Sequence, residues 1–397
     1  MPTAVIVDAV RTAFAKGKPG GALSGVHPVD LAAQVLTAVL ERSGLESMQI
    51  DDVILGTFGQ VDEQSWNIAR HAVLAAGFDE SVPATTIDRQ CGSSQQAVHF
   101  AAQGIMAGSY DIVIAGGVES MSRVPFGATT PKASPHSPGI LRRYPGGLVP
   151  QGISAELVTA KFGLDRQALD AFSAESHRRA AEATAAGRFD GQIIPIEVTR
   201  TDGSTALHTV DETIRPGTSA TRLAELSSAF VDQAMQERYP QIGWSITAGN
   251  SSPLTDGASA LLIMSEEKAV ALGLRPRARI HAFAVVGDDP ILMLTGPIPA
   301  TRRVLDRAGL AIDDIDAYEV NEAFAPVPIA WASALGADPA KLNPWGGAIA
   351  IGHPLGATGG RLMGTLLAYL EATGGRWGLQ AICEAGGMAN ATVIERL

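Results

Sequence analysis

Asp111-Ile112-Val113-Ile114-Ala115-Gly116-Gly117-Val118-Glu119-Ser120 is a β-branched run that breaks at a glycine pair. It returns near the other end of the chain as Leu379-Gln380-Ala381-Ile382-Cys383-Glu384-Ala385-Gly386-Gly387-Met388-Ala389. Each copy predicts a strand buried on both faces and running into a tight turn. A second pair matches in the same order: Arg42-Ser43-Gly44-Leu45, followed by Ile50-Asp51-Asp52-Val53-Ile54-Leu55, parallels Arg307-Ala308-Gly309-Leu310, followed by Asp313-Asp314-Ile315-Asp316-Ala317-Tyr318. Both offsets are about 265 to 270 residues, and two copies make no solenoid. The pattern predicts a duplicated α/β domain whose halves pack together, with a site between them.

The rest of the chain fits that frame. Its 397 residues exceed what one core usually organises, so two or three domain-sized units are expected. The 43 glycines, about 11% against an average near 7%, predict many turns and close backbone approaches. Helix-like runs such as 31–41 alternate with strand-like runs. Between them lies a looser middle: a Pro/Gly-rich tract at 125–152, a helical segment at 166–186 and a polar stretch at 199–221. We assign 1–121 with 246–270 to an N-terminal domain, 122–245 to an inserted loop domain, and 271–397 to a C-terminal domain.

Net charge −11 and pI near 5.2 argue against nucleic acid as a partner, because phosphate backbones need clustered Lys and Arg. Apolar stretches fall far short of the roughly 18 residues that span a bilayer, so no membrane association is expected. The start Met1-Pro2-Thr3 leads straight into Ala4-Val5-Ile6-Val7 without a leader pattern, and two cysteines form no disulfide framework, so a cytoplasmic location is expected. Mean hydropathy of +0.14 is apolar for a soluble enzyme and points to a homo-oligomer. The eight histidines include no His-x-x-x-His pair, so no metal is expected. No Gly-x-Ser-x-Gly elbow and no Gly-x-Gly-x-x-Gly or Walker-type loop occurs.

Chemistry concentrates in four tracts. In Asp88-Arg89-Gln90-Cys91-Gly92-Ser93-Ser94-Gln95-Gln96-Ala97 a β-like run gives way to a helix-like one. A thiol at a helix start meets free backbone N–H groups and the positive end of the helix dipole, which favour thiolate. Taken alone, Cys91 reads rather as a buried, inert cysteine, the commoner fate of a free thiol, until a partner base is found elsewhere in the chain. Asn321-Glu322-Ala323-Phe324, then Gly346-Gly347-Ala348-Ile349-Ala350-Ile351-Gly352-His353-Pro354-Leu355-Gly356, then Cys383-Glu384-Ala385-Gly386-Gly387 complete the set. His353 is expected on a loop where a base can be held near a thiol, or where it caps backbone. Cys383 closes a strand and reads also as a core cysteine, and Asn321 orients a water or a histidine unless it caps a turn or helix. His99, on the apolar helix after Cys91, reads as a core histidine, and Glu119 as structural.

These tracts, in this order and over essentially the whole chain, resemble the thiolase family: Cys-Gly-Ser-Ser, Asn-Glu-Ala-Phe, Gly-His-Pro and a C-terminal Cys-x-Gly-Gly, present or nearly so. The resemblance implies a five-layered α-β-α-β-α fold with an inserted loop domain. It implies acetyl-CoA C-acyltransferase activity of the degradative type, the thiolytic cleavage of 3-oxoacyl-CoA. Cys91 is then the nucleophile, His353 its base, Cys383 the acid and base at C2, and Asn321 a catalytic partner. Two oxyanion holes are implied, one from His353 with a water held by Asn321, the other from the backbone N–H groups of Cys91 and Ala385. Ser252 and Arg215 are the implied CoA contacts. CoA enters as co-substrate with no permanently bound cofactor, and a homodimer or homotetramer is implied.

The sequence departs from the family pattern in three places. Ala385 stands where glycine is usual, so strain at a glycine-like backbone angle is expected there. Trp345 replaces an asparagine before the Gly346-Gly347 loop, which puts that loop's geometry in question. Val149-Pro150-Gln151-Gly152-Ile153-Ser154-Ala155-Glu156 lacks the His-Met-Gly of acetoacetyl-specific biosynthetic thiolases and points to longer acyl substrates. Competing expectations are Claisen synthesis of acetoacetyl-CoA, or a CoA-binding relative with weak or lost turnover.

Overall fold

In the computed structural model, which describes residues 2–129, 134–199 and 203–397, the duplication is visible strand by strand. Residues 130–133 of the Pro/Gly-rich tract and 200–202 of the polar stretch lie outside the described residues. The first half contributes β1 (Ala4–Thr12), β2 (Asp52–Gly56), β3 (Ala84–Ile87), β4 (Ile112–Ser120) and β5 (Thr255–Ser265). The second contributes β6 (Ala278–Gly287), β7 (Ala317–Val320), β8 (Trp377–Glu384) and β9 (Met388–Arg396). The first half is ordered β3-β2-β4-β5-β1 and the second β7-β8-β9-β6. In both, a parallel pair (β2 with β4, β7 with β8) is followed by antiparallel neighbours. The second half's missing edge strand survives as a single parallel bridge from Tyr318 to Leu342.

The halves are not two separate sheets. β1 and β6 pair antiparallel through Val5 with Arg279 and Ile6 with Ala278, so hydrogen bonding runs from one half-sheet into the other.

Alternation along each strand sorts the core into layers. Val53 and Leu55 face outward onto helices Pro28–Ser43 and Ile68–Ala75, packing with Leu31, Val35, Leu36, Val39 and Val73. Ile54 faces inward, onto Val98, Ala101, Ala102 and Ile105 of helix Ser93–Met106 and Met363, Leu366, Leu367 and Leu370 of helix Thr358–Thr373. The other outer face is covered by helices Pro297–Ala308 and Pro326–Leu335, with Val304, Leu305 and Trp331 against Val320, Leu379 and Val393. The layers are therefore α-β-α-β-α. Each fully buried Leu or Ile contributes about 1.5 to 3 kcal/mol, and the two central helices lie between the half-sheets. The repeated Arg-x-Gly-Leu segments end the first outer helix of each half, with Gly44 and Gly309 both at φ 67.

His99 belongs to the central layer, as expected. It is buried, with Nε2 2.8 Å from Thr392 Oγ1 and its ring stacked on Phe283 at 4.9 Å. Burial holds its pKa down to about 3. A base whose folded value lies below its unfolded one costs stability as pH falls through the unfolded value near 6.5 and on toward 3. Wild type is therefore expected to lose about 1.4 kcal/mol per pH unit relative to His99→Gln across that window. Denaturant midpoints of the two proteins at pH 7 and pH 5 check this, and an unchanged difference rules it out.

Between β4 and β5 the chain leaves the main run of the sheet, touching it again where Ile193 and Ile194 pair in parallel with Arg11 and Thr12 of β1. Helices Gln151–Lys161 and Arg166–Ala185 and the hairpin Ile196–Thr199 with Thr205–His208 occupy this stretch. Asp165 starts the longer helix by accepting from the Ala168 N–H at 2.8 Å. The buried pair Arg11–Asp211, 2.7 Å apart, ties this stretch to β1.

Candidate active site

The turn after β3 sets up Cys91. Asp88 accepts from the Gln90 N–H at 2.6 Å, Gln90 takes φ 52, and Ser93 Oγ accepts from Arg89 N at 2.9 Å while donating to Gln90 O at 2.6 Å. A non-glycine residue in the left-handed region costs about 1 to 3 kcal/mol and persists only where its surroundings over-determine it. Gly92 then caps helix Ser93–Met106, leaving Cys91 at the helix mouth, 3% exposed among Met121, Leu355, Leu362 and Ile382.

That burial decides the protonation state. It pushes the Cys91 thiol well above its ordinary value, Cys383 and Glu384 push further, and a hydrogen bond from the Gln151 side chain opposes them. The expectation of a thiolate favoured by the helix start is thus overturned: the desolvation of a charge inside an apolar cluster outweighs the partial charges of one helix end.

His353 is held in one tautomer. Gly352, at φ 108, brings the loop against Thr255, whose methyl would lie 2.7 Å from an added Cβ, and the His353 N–H donates to Thr255 Oγ1 at 3.0 Å. Thr358 Oγ1 spends its proton on Pro354 O at 2.8 Å, so it accepts from His353 Nδ1–H at 2.7 Å. Nε2 keeps its lone pair, facing Asn321 Nδ2 at 3.3 Å. Burial first, and Arg361 second, hold this imidazole down to about 3. A neutral ring with an unprotonated Nε2 is a proton acceptor.

Asn321 follows β7, anchored by its N–H to Ala381 O at 3.0 Å, and its Oδ1 has no hydrogen-bond partner among the described residues. Neighbouring Glu322 accepts from Ser176 Oγ, Asn343 Nδ2 and Ile349 N at 2.7, 2.9 and 3.1 Å, joining helix Arg166–Ala185 to the loop that leads to His353. Cys383, near the end of β8, is 1% exposed, and burial followed by Glu384 pushes its thiol up to about 12. Glu119 accepts from Phe58 N, Gly59 N and Gly356 N, a brace for the loops around the site.

A cavity of about 570 Å³ opens over Cys91 and His353, bordered also by Ser252, Ala385 and Gln151. Its remaining walls are mostly apolar, including Phe58 and Phe126 stacked at 5.7 Å. Cys383 and Asn321 stand behind this surface, Asn321 reaching it through His353. Ser252 Oγ donates to Ala323 O at 3.1 Å and keeps its lone pairs for a ligand. Arg215 lies elsewhere: it borders a small recess with His177 and Thr213, separated from the main cavity by Ser251 and Pro253, which line both.

Two expected disturbances are absent. Ala385 is not among the residues with positive φ; that geometry falls on Gly386 and Gly387, at φ 83 and 76, so the extra Cβ meets no glycine-like angle. Trp345 leaves the loop intact because its ring packs edge-on against Phe189 and Tyr369, at 6.1 and 5.3 Å. Asn343 instead holds the loop, accepting from Val320 N and donating to Val320 O.

Thr358, Gln151 and Glu384 are site residues the sequence reading did not single out. Gln151 and Glu384 lay inside quoted tracts, but nothing local showed which way they face.

Residues 4–267 match the family profile described as "Thiolase, N-terminal domain", and residues 274–396 match "Thiolase, C-terminal domain". The chain belongs to the thiolase family. Among relatives of this thiolase, the steroid 3-ketoacyl-CoA thiolase FadA6 of Mycobacterium tuberculosis is 48% identical, over 100% of this chain and 95% of that protein. The 3-ketoacyl-CoA thiolase of Serratia proteamaculans is 44% identical over 100% of both chains. The crystal structure of the Bacillus anthracis acetyl-CoA acetyltransferase superimposes on this thiolase with a TM-score of 0.89 at 36% identity, covering 100% of this chain and 99% of that one. The five-layered architecture expected from the sequence is the one observed.

Proposed function

We propose that this thiolase cleaves 3-oxoacyl-CoA with CoA, giving acetyl-CoA and a shortened acyl-CoA through an acyl-Cys91 intermediate. One observation carries the reading: a neutral His353 with an unprotonated Nε2 shares an apolar cavity with a protonated Cys91. Cys91 Sγ attacks the C3 carbonyl carbon as its proton passes to His353 Nε2. The C2–C3 bond breaks, its electron pair becomes the acetyl-CoA enolate, and Cys383 Sγ–H delivers the proton to C2. CoA then gives its thiol proton to the Cys383 thiolate and attacks the acyl carbon, and Cys91 recovers its proton from His353. The backbone N–H groups of Cys91 and Ala385 serve one developing oxyanion, and His353 with Asn321 the other.

Ser252 is the CoA contact at the cavity, with Arg215 a more distant one. The apolar walls favour acyl groups beyond acetoacetyl. A cytoplasmic homodimer or homotetramer, with CoA as co-substrate and no resident cofactor, completes the proposal. No helix among the described residues is long and apolar enough to cross a membrane.

The test is a rate series with CoA over acetoacetyl-CoA, medium-chain 3-oxoacyl-CoA and ring-bearing 3-oxoacyl-CoA, following acetyl-CoA release, with the intact mass of the protein read in parallel. Acetyl-CoA release together with a mass gain of one acyl group is expected. No release from any substrate and no mass gain would sink the reading.

A further inference from the structure

Glu384 is fully buried, and neither of its carboxyl oxygens has a hydrogen-bond partner among the described residues. A carboxyl in that position is unusual, because a buried polar group left unpaired costs free energy that a satisfied or apolar one does not. Its surroundings suggest what that cost sustains. On β8 successive side chains alternate, so Glu384 shares the face of Ile382, which packs on Cys91, while Cys383 points to the opposite side among Ala155, Val158 and Phe324. The carboxyl comes to rest against Gly92, where an added Cβ would stand 1.9 Å from Oε1 and 2.8 Å from the carboxyl carbon.

Gly92 directly follows Cys91, and Ala385 directly follows Glu384. The one contact between Glu384 and Gly92 therefore joins the helix start that carries the Cys91 N–H to the strand end that carries the Ala385 N–H. Donors in an oxyanion hole work only at a fixed separation, within about 0.5 Å of the productive geometry. We propose that Glu384 is a positioning residue whose carboxyl sets the spacing of the Cys91 and Ala385 N–H groups; this rests on the thiolytic reading of the site given above.

The neutral form is what the site requires. Charged groups facing the carboxyl are Asp88 and Arg89 from the turn before the helix; Cys91 lies on the same side and Cys383 on the other face of the strand, and a carboxylate here would oppose both thiolates and any oxyanion beside them. Burial pushes this acid well above the ordinary carboxylate range. It is uncharged below its raised value and ionises only as pH climbs through it.

Three proteins test the assignment: wild type, Glu384→Gln, which keeps the shape and cannot ionise, and Glu384→Ala, which removes the spacer. For Glu384→Ala, kcat for thiolysis is expected to fall about 100-fold, the scale of losing one oxyanion donor, with KM within about twofold of wild type. Glu384→Gln is expected to restore kcat to within a few-fold at neutral pH and to hold it further into the alkaline range than wild type. Wild-type kcat in Glu384→Ala overturns the proposal. So does a Glu384→Gln protein as impaired as Glu384→Ala, or one whose alkaline limb coincides with that of wild type. A Tm measurement on each variant separates loss of fold from loss of spacing, since a merely structural carboxyl would lower Tm without moving the pH limb. If wild type itself turns over no substrate, the functional reading has failed; if wild type is active and the variants match it, only this inference has.

Discussion

Cys91→Ala is expected to lower thiolytic cleavage by at least about 10,000-fold and to abolish the acyl adduct seen by intact mass. The loss is that large because, among the described residues, no other thiol borders the cavity: the remaining polar side chains there are the weaker nucleophiles Ser251 and Ser252, the amides Gln90 and Gln151, and a second histidine, His136. The substitution removes one buried sulfur, so the fold is expected to persist with a cost of about 1 kcal/mol. An adduct of equal yield on the alanine variant would place the acyl group elsewhere and overturn the assignment. Wild type carries a companion signature. Since burial raises the Cys91 thiol, the thiol form persists as pH climbs past 7, and alkylation by iodoacetamide is expected to keep accelerating through pH 9 without a plateau. A plateau reached near neutrality would mean a thiolate at rest, and the proton transfer to His353 would then be unnecessary.

That signature also marks where a linear reading of this chain stops. The duplication was legible because strand runs and glycine stops are local, and it carried through to matching strand orders in the two halves. Cys91, His353 and Cys383 were legible as candidates because each sits in a short tract with its own turn chemistry. The ionisation of Cys91 was not. The helix start is written in residues 88 to 97, whereas the burial that outweighs it comes from Met121, Leu355, Leu362 and Ile382, contributed by other parts of the chain. Ala385 shows the same limit from the other side. Its place in a glycine tract predicts strain, but the turn puts its positive φ on Gly386 and Gly387. Glu384 is the sharpest case. Alternation places it opposite Cys383, but that the opposite side is Gly92, some 290 residues earlier, follows only from packing the two halves. The continuity of the half-sheets through β1 and β6 is likewise a product of that packing.

Cys383→Ala is expected to divide the reaction in two. Transfer of an acetyl group from acetyl-CoA to Cys91 needs the nucleophile, His353 and the oxyanion donors, none of which the substitution touches, so the adduct should form within a few-fold of the wild-type rate. Cleavage of the C2–C3 bond needs a proton at C2 as the enolate leaves, and it should fall by about 100- to 10,000-fold, the usual worth of a positioned acid. The environment of this thiol suits the task. Held up to about 12, Cys383 stays protonated over the whole working range, so every enzyme molecule carries the acid. Once it has given that proton away, the same buried setting makes the thiolate a stronger base than a free one, able to take the proton from incoming CoA. A single residue can then serve both half-reactions because burial disfavours its charged form throughout, which drives it to recover a proton as soon as one is within reach. Equal rates of carbon–carbon cleavage in Cys383→Ala and wild type would remove Cys383 from the mechanism. Equal losses of adduct formation and cleavage would instead assign it to the nucleophile's own activation.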